Sequence, residues 1–253
     1  MRRRYAFGDG DQAARRLGQV AAAFEAPMSA FLTAAVRRPV GLAVDLGCGP
    51  GHTTELLARC LRPARLAGLD SSAAFVALAR RRLPAVEFVV HDVTRTPLPT
   101  GPADLLFARF LLSHLPDPAG ALAAWATQLG DGGLLLLDEV EWIRTDDPAL
   151  AEYLRVVAAV LEERGHRLQA GPLLHALPDP PGLTRRASRV AVHPVDPALA
   201  ATMFRTNLSV WRHDPQAREV AGAAALDRLD HALAAPPTAP VTWGLRQLVF
   251  ERT

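Results

Sequence analysis

The sequence predicts an α/β fold in which a doubly wound, mostly parallel sheet is covered by helices on both faces. Short apolar runs alternate with helical patterns from residue 40 to about residue 140, which is the rhythm of strands joined by crossover helices. The runs are apolar without interruption, as expected of strands that are buried on both faces. A glycine-rich turn, GCGPG, joins the first run to the first helix of this region.

Each element of this core is predicted from its local pattern. A strand is assigned where Val, Leu and Phe cluster between Gly, Pro or Asp, and a helix where apolar residues recur three and four positions apart. The predicted strands are Val40–Gly47, Ala64–Asp70, Val86–Asp92, Ala103–Phe110 and Gly132–Trp142. The predicted helices between them are Thr53–Leu61, Ser72–Leu83 and Pro118–Leu129.

Helical patterns also flank this core. An amphipathic helix is predicted at Asp11–Phe24, a short one ends at Arg38, and a long one covers Asp147–Gly165. The Pro-rich stretch Gly171–Leu183 is predicted to be a hinge or lid, because proline and glycine interrupt regular structure. A sixth strand at Arg185–Val195, two further helices and a final strand at Val241–Arg252 complete the chain.

Composition narrows the range of functions. The chain has 253 residues, enough for one sizeable core, and a formal net charge of +2 without a basic stripe, so we expect no nucleic-acid partner. The basic start lacks the apolar segment of a signal peptide, and no apolar run approaches the roughly 20 residues of a membrane span. A cytoplasmic protein without a membrane partner is therefore expected.

Two residue counts exclude particular chemistries. All 28 basic residues are arginine, and without lysine there is no Schiff base, no pyridoxal phosphate anchor and no phosphate-loop lysine. The two cysteines, Cys48 and Cys60, have neither a disulfide framework nor metal-ligand spacing, and the histidines share no spacing. No metal site is predicted.

The glycine turn and three acidic residues together indicate a ligand site. Asp45 precedes the turn, whose spacing differs from the G-x-G-x-x-G of dinucleotide folds, and Pro50 removes an amide that a pyrophosphate would use. Asp70 ends the next strand, where a carboxylate accepts ribose hydroxyls, and Asp92 ends the third, where it would accept the amine of an adenine. Acids at three strand ends favour a nucleoside that carries a cation over one that carries an anion.

These segments resemble the successive motifs of class I S-adenosylmethionine-dependent methyltransferases. The motifs are VDLGCGPG from Val44, LAGLDSS from Leu66, VVHDV from Val89 and ADLLFARFLLSHLPDP from Ala103. LGDGGLLLLDE resembles the strand-five segment and WGLRQLVFER the antiparallel seventh strand of that fold. The resemblance therefore implies a Rossmann-like, seven-stranded doubly wound sheet with an antiparallel last strand, N-terminal helices and a helical lid. The opening YAFGDGDQAARRL resembles leader segments of actinobacterial small-molecule methyltransferases.

The resemblance also implies a division of the chain and a set of cofactor contacts. A single domain would comprise a helical cap at 1–39, a cofactor-binding core at 40–142, an acceptor-covering insertion at 143–212 and a final helix and strand at 213–253. The implied cofactor is S-adenosyl-L-methionine. The residues implied to bind it are Arg16, Asp45, Gly47, Cys48, Gly49, Gly51, Asp70, Ser71, Asp92, Val93 and Arg109.

Methyl transfer from a sulfonium depends mainly on alignment, so the reaction requires few catalytic side chains that a sequence motif would reveal. His114 and Glu139 are candidate general bases, although a hydrogen-bonding or solvated role remains open for each. Aromatic and polar residues beyond the core are predicted to line an acceptor pocket. These residues are Trp142, Tyr153, His175, Arg205, Asn207 and Trp211.

The sequence thus predicts a methyltransferase acting on oxygen or nitrogen of a small molecule, in bacterial secondary metabolism, as a monomer or homodimer. One alternative keeps the fold and cofactor but performs non-methylating chemistry, as a cyclase or a binding protein. A second alternative is a nicotinamide oxidoreductase, which the turn spacing and the missing lysine disfavour.

Overall fold

The computed structural model describes residues 10–253, except for the side chain of Asp11. Residues 5–9 of the leader-like opening segment lie outside the described residues. The strands are β1 Leu42–Leu46, β2 Arg65–Asp70, β3 Glu87–Val90, β4 Ala103–Arg109, β5 Leu129–Thr145, β6 Leu183–Val195 and β7 Val241–Arg252. The helices are α1 Asp11–Ala23, α2 Glu25–Ala35, α3 His52–Leu61, α4 Ala73–Arg82, α5 Pro118–Ala126, α6 Pro148–Glu163, α7 Gly171–Ala176, α8 Pro197–Trp211, α9 Pro215–Ala221 and α10 Ala223–Ala232.

The strands form one seven-stranded sheet in the order β3-β2-β1-β4-β5-β7-β6. The pairs from β3 to β5 are parallel, whereas β7 runs antiparallel to both β5 and β6. The chain reverses its direction across the sheet between β1 and β4, so the carboxyl ends of the parallel strands form a crevice there. The predicted α/β fold, with its antiparallel last strand, is confirmed.

Several helices begin where the sequence supplies both an acceptor and a proline. Asp147, Asp196 and Asp214 precede α6, α8 and α9, and their carboxylates accept hydrogen bonds from amides of the first helical turn. A proline follows each acid, and its missing N–H costs nothing at the first helical position. The Asp-Pro pairs therefore fix where the helices beyond the core begin.

The Pro-rich segment Gly171–Leu183 does not act as a lid. Its first residues form α7, whose Leu174 is buried in the cluster that contains Leu135, Leu137 and Phe250 of the sheet. A Cβ at Gly171 would lie 2.8 Å from the Cα of Glu141, so this end of α7 approaches β5 closely. The expectation of a lid does not fit α7, because this helix carries buried apolar residues that pack on the sheet, whereas the mobility of the exposed residues after it stays a prediction.

This packing predicts that Leu174→Ala lowers the free energy of unfolding by about 2–4 kcal/mol, because a buried leucine leaves a cavity. His175→Ala is the matched control, since His175 is the exposed next residue of α7 and should change stability by less than about 0.5 kcal/mol. Urea denaturation of both variants measures the difference. Equal small effects would mean that α7 is not anchored to the sheet.

Candidate active site

A cavity of about 1870 Å³ lies at the carboxyl edge of the parallel strands. Its first part, here called the glycine-turn half, is lined by Gly47–Pro50 and by the residues that follow β2 and β3. Its second part, here called the chamber, is enclosed by α1, α6, α8 and the ends of β5 and β7. α1 and α8 meet over it, where the side-chain amide of Gln12 donates to Ser209 Oγ at 2.6 Å.

The glycines of the turn have different roles. Gly47, Gly49 and Gly51 all have left-handed backbone, with φ of 69°, 53° and 88°, a conformation that glycine adopts without strain. At Gly49 a Cβ would meet only Leu17, at 3.7 Å, so this backbone faces the open cavity together with Gly47 and Cys48. Gly51 does not line the cavity; a Cβ there would lie 3.2 Å from the Cβ of Ala79, so its role is packing against α4.

Asp45 stabilises the turn from inside the protein. It is buried, and its Oδ2 accepts hydrogen bonds from Thr53 at 2.7 Å and Thr54 at 2.6 Å. Burial raises its pKa to about 6. Asp45 is not among the residues that line the cavity. The structure therefore gives it the task of fixing the start of α3, in place of the direct ligand contact expected from the sequence.

Asp70, which ends β2, and Asp92, which follows β3, lie in the glycine-turn half. Asp70 lines the cavity, and its two carboxylate oxygens accept from Gly49 N at 2.9 Å and Ser72 N at 2.8 Å. Ser71 lines the cavity beside it. Asp92 is exposed and has a lowered pKa; its burial opposes this shift, and hydrogen bonds from Thr94 and the charge of Arg95 together outweigh it.

Val93 completes this half of the site. Its side chain is buried and lines the cavity, and its carbonyl accepts a hydrogen bond from the Trp125 indole at 2.8 Å. Trp125 is itself fully buried on α5. The end of β3 is thereby held in place by a side chain of the following helix.

Arg109 lies at the junction of the two halves, at the end of β4. Its guanidinium is 5.4 Å from the centroid of Phe24 and 4.6 Å from that of Phe110, and its Nε lies 3.6 Å from Asp138 Oδ2. Burial lowers its pKa, and the charge of Asp138 opposes this shift. An arginine held by rings and one carboxylate can present a fixed positive charge to a ligand.

His114 lies in the wall that the two halves share. It ends the short 3₁₀ helix Leu112–His114 and lines the cavity, with its ring 5.8 Å from the ring of His166. Desolvation, followed by the charges of His166 and Arg16, lowers its pKa to about 3. His114 is therefore a neutral imidazole at physiological pH and a weak base.

Arg16 and Arg15 are neighbours on α1 but differ in exposure and in contact with the cavity. Arg16 is half-buried and lines the cavity, and its charge acts on both His114 and Tyr153. Arg15 is exposed and is not a lining residue. Arg16 thus faces the chamber from α1, whereas its contact with the cofactor remains a prediction.

Glu139 is a buried structural carboxyl and does not line the cavity. Its Oε1 accepts hydrogen bonds from Leu111 N at 2.7 Å and Leu112 N at 2.8 Å. Desolvation raises its pKa to about 8. The expectation of a base in the cleft is corrected, because the carboxyl binds the chain that reverses after β4.

This burial has a consequence for the pH dependence of stability. The folded protein keeps Glu139 protonated up to about pH 8, whereas the unfolded chain ionises it near its ordinary pKa of 4.5. The unfolded state therefore binds fewer protons between these values, and this group makes the free energy of unfolding fall as pH rises. Glu139→Gln should remove that decline.

Urea denaturation of wild type and Glu139→Gln at about pH 5 and about pH 8 measures this effect. The variant should gain stability relative to wild type at the higher pH. Glu162→Gln, which changes an exposed carboxylate of α6, is the control and should follow wild type at both values. A pH-independent difference between wild type and Glu139→Gln would contradict the assigned protonation.

The chamber has an apolar wall with one polar pair. Tyr153 of α6 and Asn207 of α8 both line it and are buried, and Asn207 Nδ2 donates to the Tyr153 hydroxyl at 2.7 Å. Tyr153 stacks on Phe204 with ring centroids 4.4 Å apart. Among the described residues Asn207 Oδ1 has no hydrogen-bond partner. The two predicted pocket residues therefore lie together in the wall of the chamber, and their contact with an acceptor stays a prediction.

Four other predicted pocket residues lie elsewhere. Trp142 packs beside Gly244 and Arg144, and it does not line the cavity. His175 is exposed and contacts Ser188, and Arg205 is exposed and pairs with Asp230.

Trp211 is fully buried near Tyr153, with ring centroids 6.3 Å apart, and contributes to the core. These four predictions are corrected, because helix and strand periodicity turn the side chains away from the cavity.

The structure brings further residues to the chamber that the sequence did not single out. Phe110, Trp243, His166 and Arg167 all line it. The antiparallel register pairs Trp243 of β7 with Ile143 of β5, so a residue near the end of the chain reaches the site. The amide of Arg167 donates to the carbonyl of Ser113 at 3.1 Å, which ties the segment after α6 to the 3₁₀ helix. In the sequence, the helix-ending glycine Gly165 indicates that the chain changes direction after α6.

Comparison with known proteins agrees with this geometry. Residues 44–137 match the family described as a methyltransferase domain. A trans-aconitate 2-methyltransferase from Methylobacterium radiotolerans is 32% identical over 189 residues, which cover 74% of this chain and 65% of the relative. The curated relatives considered are covered over 34% to 65% of their own length, so the chain spans about one third to two thirds of them.

Solved structures share the fold at low sequence identity. A methyltransferase-like protein from Bacillus halodurans superposes with a TM-score of 0.57 at 15% identity, over 90% of this chain and 98% of the other. The cyclase SpnF superposes with a TM-score of 0.56 at 20% identity, over 89% and 80%. These likenesses establish the class I methyltransferase fold.

Residues 44–137 thus match a methyltransferase domain, and the fold around them is that of class I S-adenosylmethionine-dependent methyltransferases. The residues present suit the cofactor of this class, because an open glycine backbone and the carboxylates of Asp70 and Asp92 line one half of the cavity. Described residues 10–253 contain no cluster of three potential metal ligands. Over the same range, no helix is both long and apolar enough to cross a membrane.

Proposed function

We propose that the chain transfers a methyl group from S-adenosyl-L-methionine to oxygen or nitrogen of a small molecule, in bacterial secondary metabolism. One observation carries the proposal: a single cavity joins a glycine turn with strand-end acids to an enclosed chamber. When bound, the cofactor supplies an electrophilic methyl group on a sulfonium. The protein's contribution is alignment of the acceptor and exclusion of water.

Named residues would hold the cofactor in the glycine-turn half. Gly47, Cys48 and Gly49 line the cavity, with open space in front of Gly49, and the carboxylate of Asp70 lines it as well. Ser71, Asp92 and Val93 line the same half, next to the predicted nucleoside. An acidic site without lysine suits a cofactor whose centre is cationic.

Small-molecule acceptors are supported by the enclosed form of the chamber. Its walls come from α1, α6, α8 and the paired strands β5 and β7, and such a concave apolar site suits a small ligand. The trans-aconitate methyltransferases that the chain resembles act on a small acid, as their name states. Secondary metabolism is proposed from the resemblance of the opening segment to actinobacterial leader sequences.

A non-methylating function is the second candidate. The cyclase SpnF has the same fold, and His114, with a pKa of about 3, is a weak base for chemistry that requires proton removal. Cofactor binding without methyl transfer to any acceptor would favour this candidate. A turnover assay with candidate acceptors therefore complements the measurement of cofactor binding.

Calorimetry with S-adenosylmethionine, S-adenosylhomocysteine and NAD tests the cofactor assignment. The first two should bind and NAD should not. Asp70→Asn should weaken S-adenosylhomocysteine binding by about 2 kcal/mol, or roughly thirtyfold in Kd, because a charge-assisted hydrogen bond is lost.

Asp131→Asn is the matched control, since Asp131 is fully exposed near the start of β5, away from the cavity. It should leave the Kd unchanged. An Asp70→Asn variant that unfolds like wild type and binds S-adenosylhomocysteine equally well would refute the role of Asp70. Tight NAD binding would refute the function itself.

A further inference from the structure

Four polar residues form one row across the sheet. Arg109 of β4 is level with Asp138 of β5 in the strand register. Asp138 is level with Gln247 of β7, which is level in turn with Arg189 of the edge strand β6. Residues paired in this way point to the same face of a sheet. The set, here called the polar row, therefore runs from an exposed edge residue to the junction of the two halves of the cavity.

The polar row lies between apolar rows on the same face of the sheet. On β5 and β7 its neighbours are the buried pairs Leu136–Val249 and Val140–Leu245. The carboxyl and amide residues between these pairs are equally buried, with 0% and 1% of their surface exposed. Buried polar groups lower stability unless they are compensated. Departures from an apolar pattern are expected where a site requires them.

Each member of the polar row acts on the next one. Arg189 Nε donates a hydrogen bond to Gln247 Oε1 at 2.9 Å, which fixes the orientation of the amide. Burial raises the pKa of Asp138 to about 6, and the charge of Arg109 and the side chain of Gln247 oppose this shift. Asp138 is therefore ionised at neutral pH. Alternating charges and an amide dipole thus link the edge strand to Arg109.

Asp138 balances the charge of Arg109 without occupying its hydrogen-bond donors. Arg109 Nε lies 3.6 Å from Asp138 Oδ2, which is beyond hydrogen-bond length. Arg109 Nη1 donates to Met28 Sδ at 3.3 Å, whereas Nε and Nη2 have no hydrogen-bond partner within residues 10–253. A guanidinium that only completed a structural ion pair would have its donors satisfied. Arg109, which lines the cavity, therefore keeps donor capacity for a ligand.

The strand order determines which part of a ligand reaches Arg109. Along the sheet lie Asp92 after β3, Asp70 at the end of β2, the glycine turn after β1, and then Arg109 at the end of β4. Neighbouring strands are about 4.8 Å apart, so these four strand ends cover roughly 14 Å. A nucleoside held by the two acids would extend its amino-acid chain toward Arg109. A guanidinium there suits the carboxylate of that chain.

We propose, on the basis of the methyltransferase function proposed above, that Arg109 binds the carboxylate of the cofactor's amino-acid part and that Asp138 and Gln247 are positioning residues for Arg109. Asp138 holds the guanidinium at the junction by charge, and Gln247 orients Asp138 from β7. Neither of these two residues lines the cavity, so both act through Arg109. The last strand of the sheet thereby affects how tightly the cofactor is held.

Two ligands that differ by one group test the carboxylate contact. S-adenosylhomocysteine carries the carboxylate, and its decarboxylated analogue has an aminopropyl chain on the same nucleoside thioether. In calorimetry with the purified full chain, Arg109→Met should raise the Kd for S-adenosylhomocysteine by about thirtyfold or more. The Kd for the analogue should change by less than about twofold, because the analogue has no group for Arg109 to bind. Arg16→Gln should not discriminate between the two ligands.

The positioning roles require their own variants. Asp138→Asn should raise the Kd for S-adenosylhomocysteine by about tenfold and Gln247→Leu by about fivefold, with the analogue almost unaffected. In an Arg109→Met background, Gln247→Leu should have no further effect, because it acts through the missing guanidinium. A residue that only supports the fold would weaken both ligands equally. Arg186→Met is the control on β6, since Arg186 pairs with Glu251 outside the polar row, and it should change neither Kd.

A further variant allows for loss of folding when one charge is removed. Arg109→Met leaves Asp138 buried without its partner, which is destabilising. The double variant Arg109→Met/Asp138→Leu replaces both charges by apolar side chains, a change that is often neutral or stabilising. It should bind the decarboxylated analogue like wild type and S-adenosylhomocysteine about thirtyfold more weakly. Wild-type affinity of this folded variant for S-adenosylhomocysteine would overturn the role of Arg109.

The outcomes separate this inference from the function on which it rests. If the wild-type chain binds neither ligand, the methyltransferase function fails and the inference fails with it. If both ligands bind and the Asp138 and Gln247 variants keep wild-type affinities, the positioning roles are refuted while the function stands. If Arg16→Gln discriminates between the ligands and Arg109→Met does not, the carboxylate contact belongs to Arg16 and the inference is refuted.

Discussion

The buried carboxyl of Glu139 holds the segment on which both halves of the cavity depend. It accepts the amides of Leu111 and Leu112 directly after β4, where Phe110 has a left-handed φ of 49°. A non-glycine residue in that conformation is strained and needs support from its surroundings. The two hydrogen bonds supply it, so the chain turns sharply and His114 lies in the cavity wall.

Buried and exposed carboxyl groups have different roles in the site. Carboxyls inside the protein, such as Asp45 and Glu139, have raised pKa values and bind backbone or hydroxyl donors. Asp92, at the open edge, has a lowered pKa and remains charged. Residues of one chemical type therefore fix the framework at some positions and face the ligand space at others, according to solvent access.

The sequence predicted the core well because strand and helix periodicity there is local. The positions of Asp70, Asp92 and the glycine turn followed from motifs at strand ends, and the antiparallel last strand followed from the family resemblance that these motifs carry. Predictions failed where tertiary contacts decide orientation. Nothing local indicates that Glu139 points inward, that α7 packs on the sheet, or that a β-bulge lies between Val140 and Trp142. The approach of His166 to His114 depends on how α6 crosses the sheet, which spacing along the chain does not encode.

Much of the wall of the chamber comes from parts of the chain on either side of the matched methyltransferase domain. α1 precedes residue 44, and α6, α8 and β7 follow residue 137. Genetic variation in these flanking segments can therefore alter what the chamber admits while the strand-end acids and the glycine turn stay the same. A fragment trimmed to residues 44–137 would keep the glycine turn, Asp70 and Asp92 but lose α1, α6, α8 and β7, which enclose the chamber.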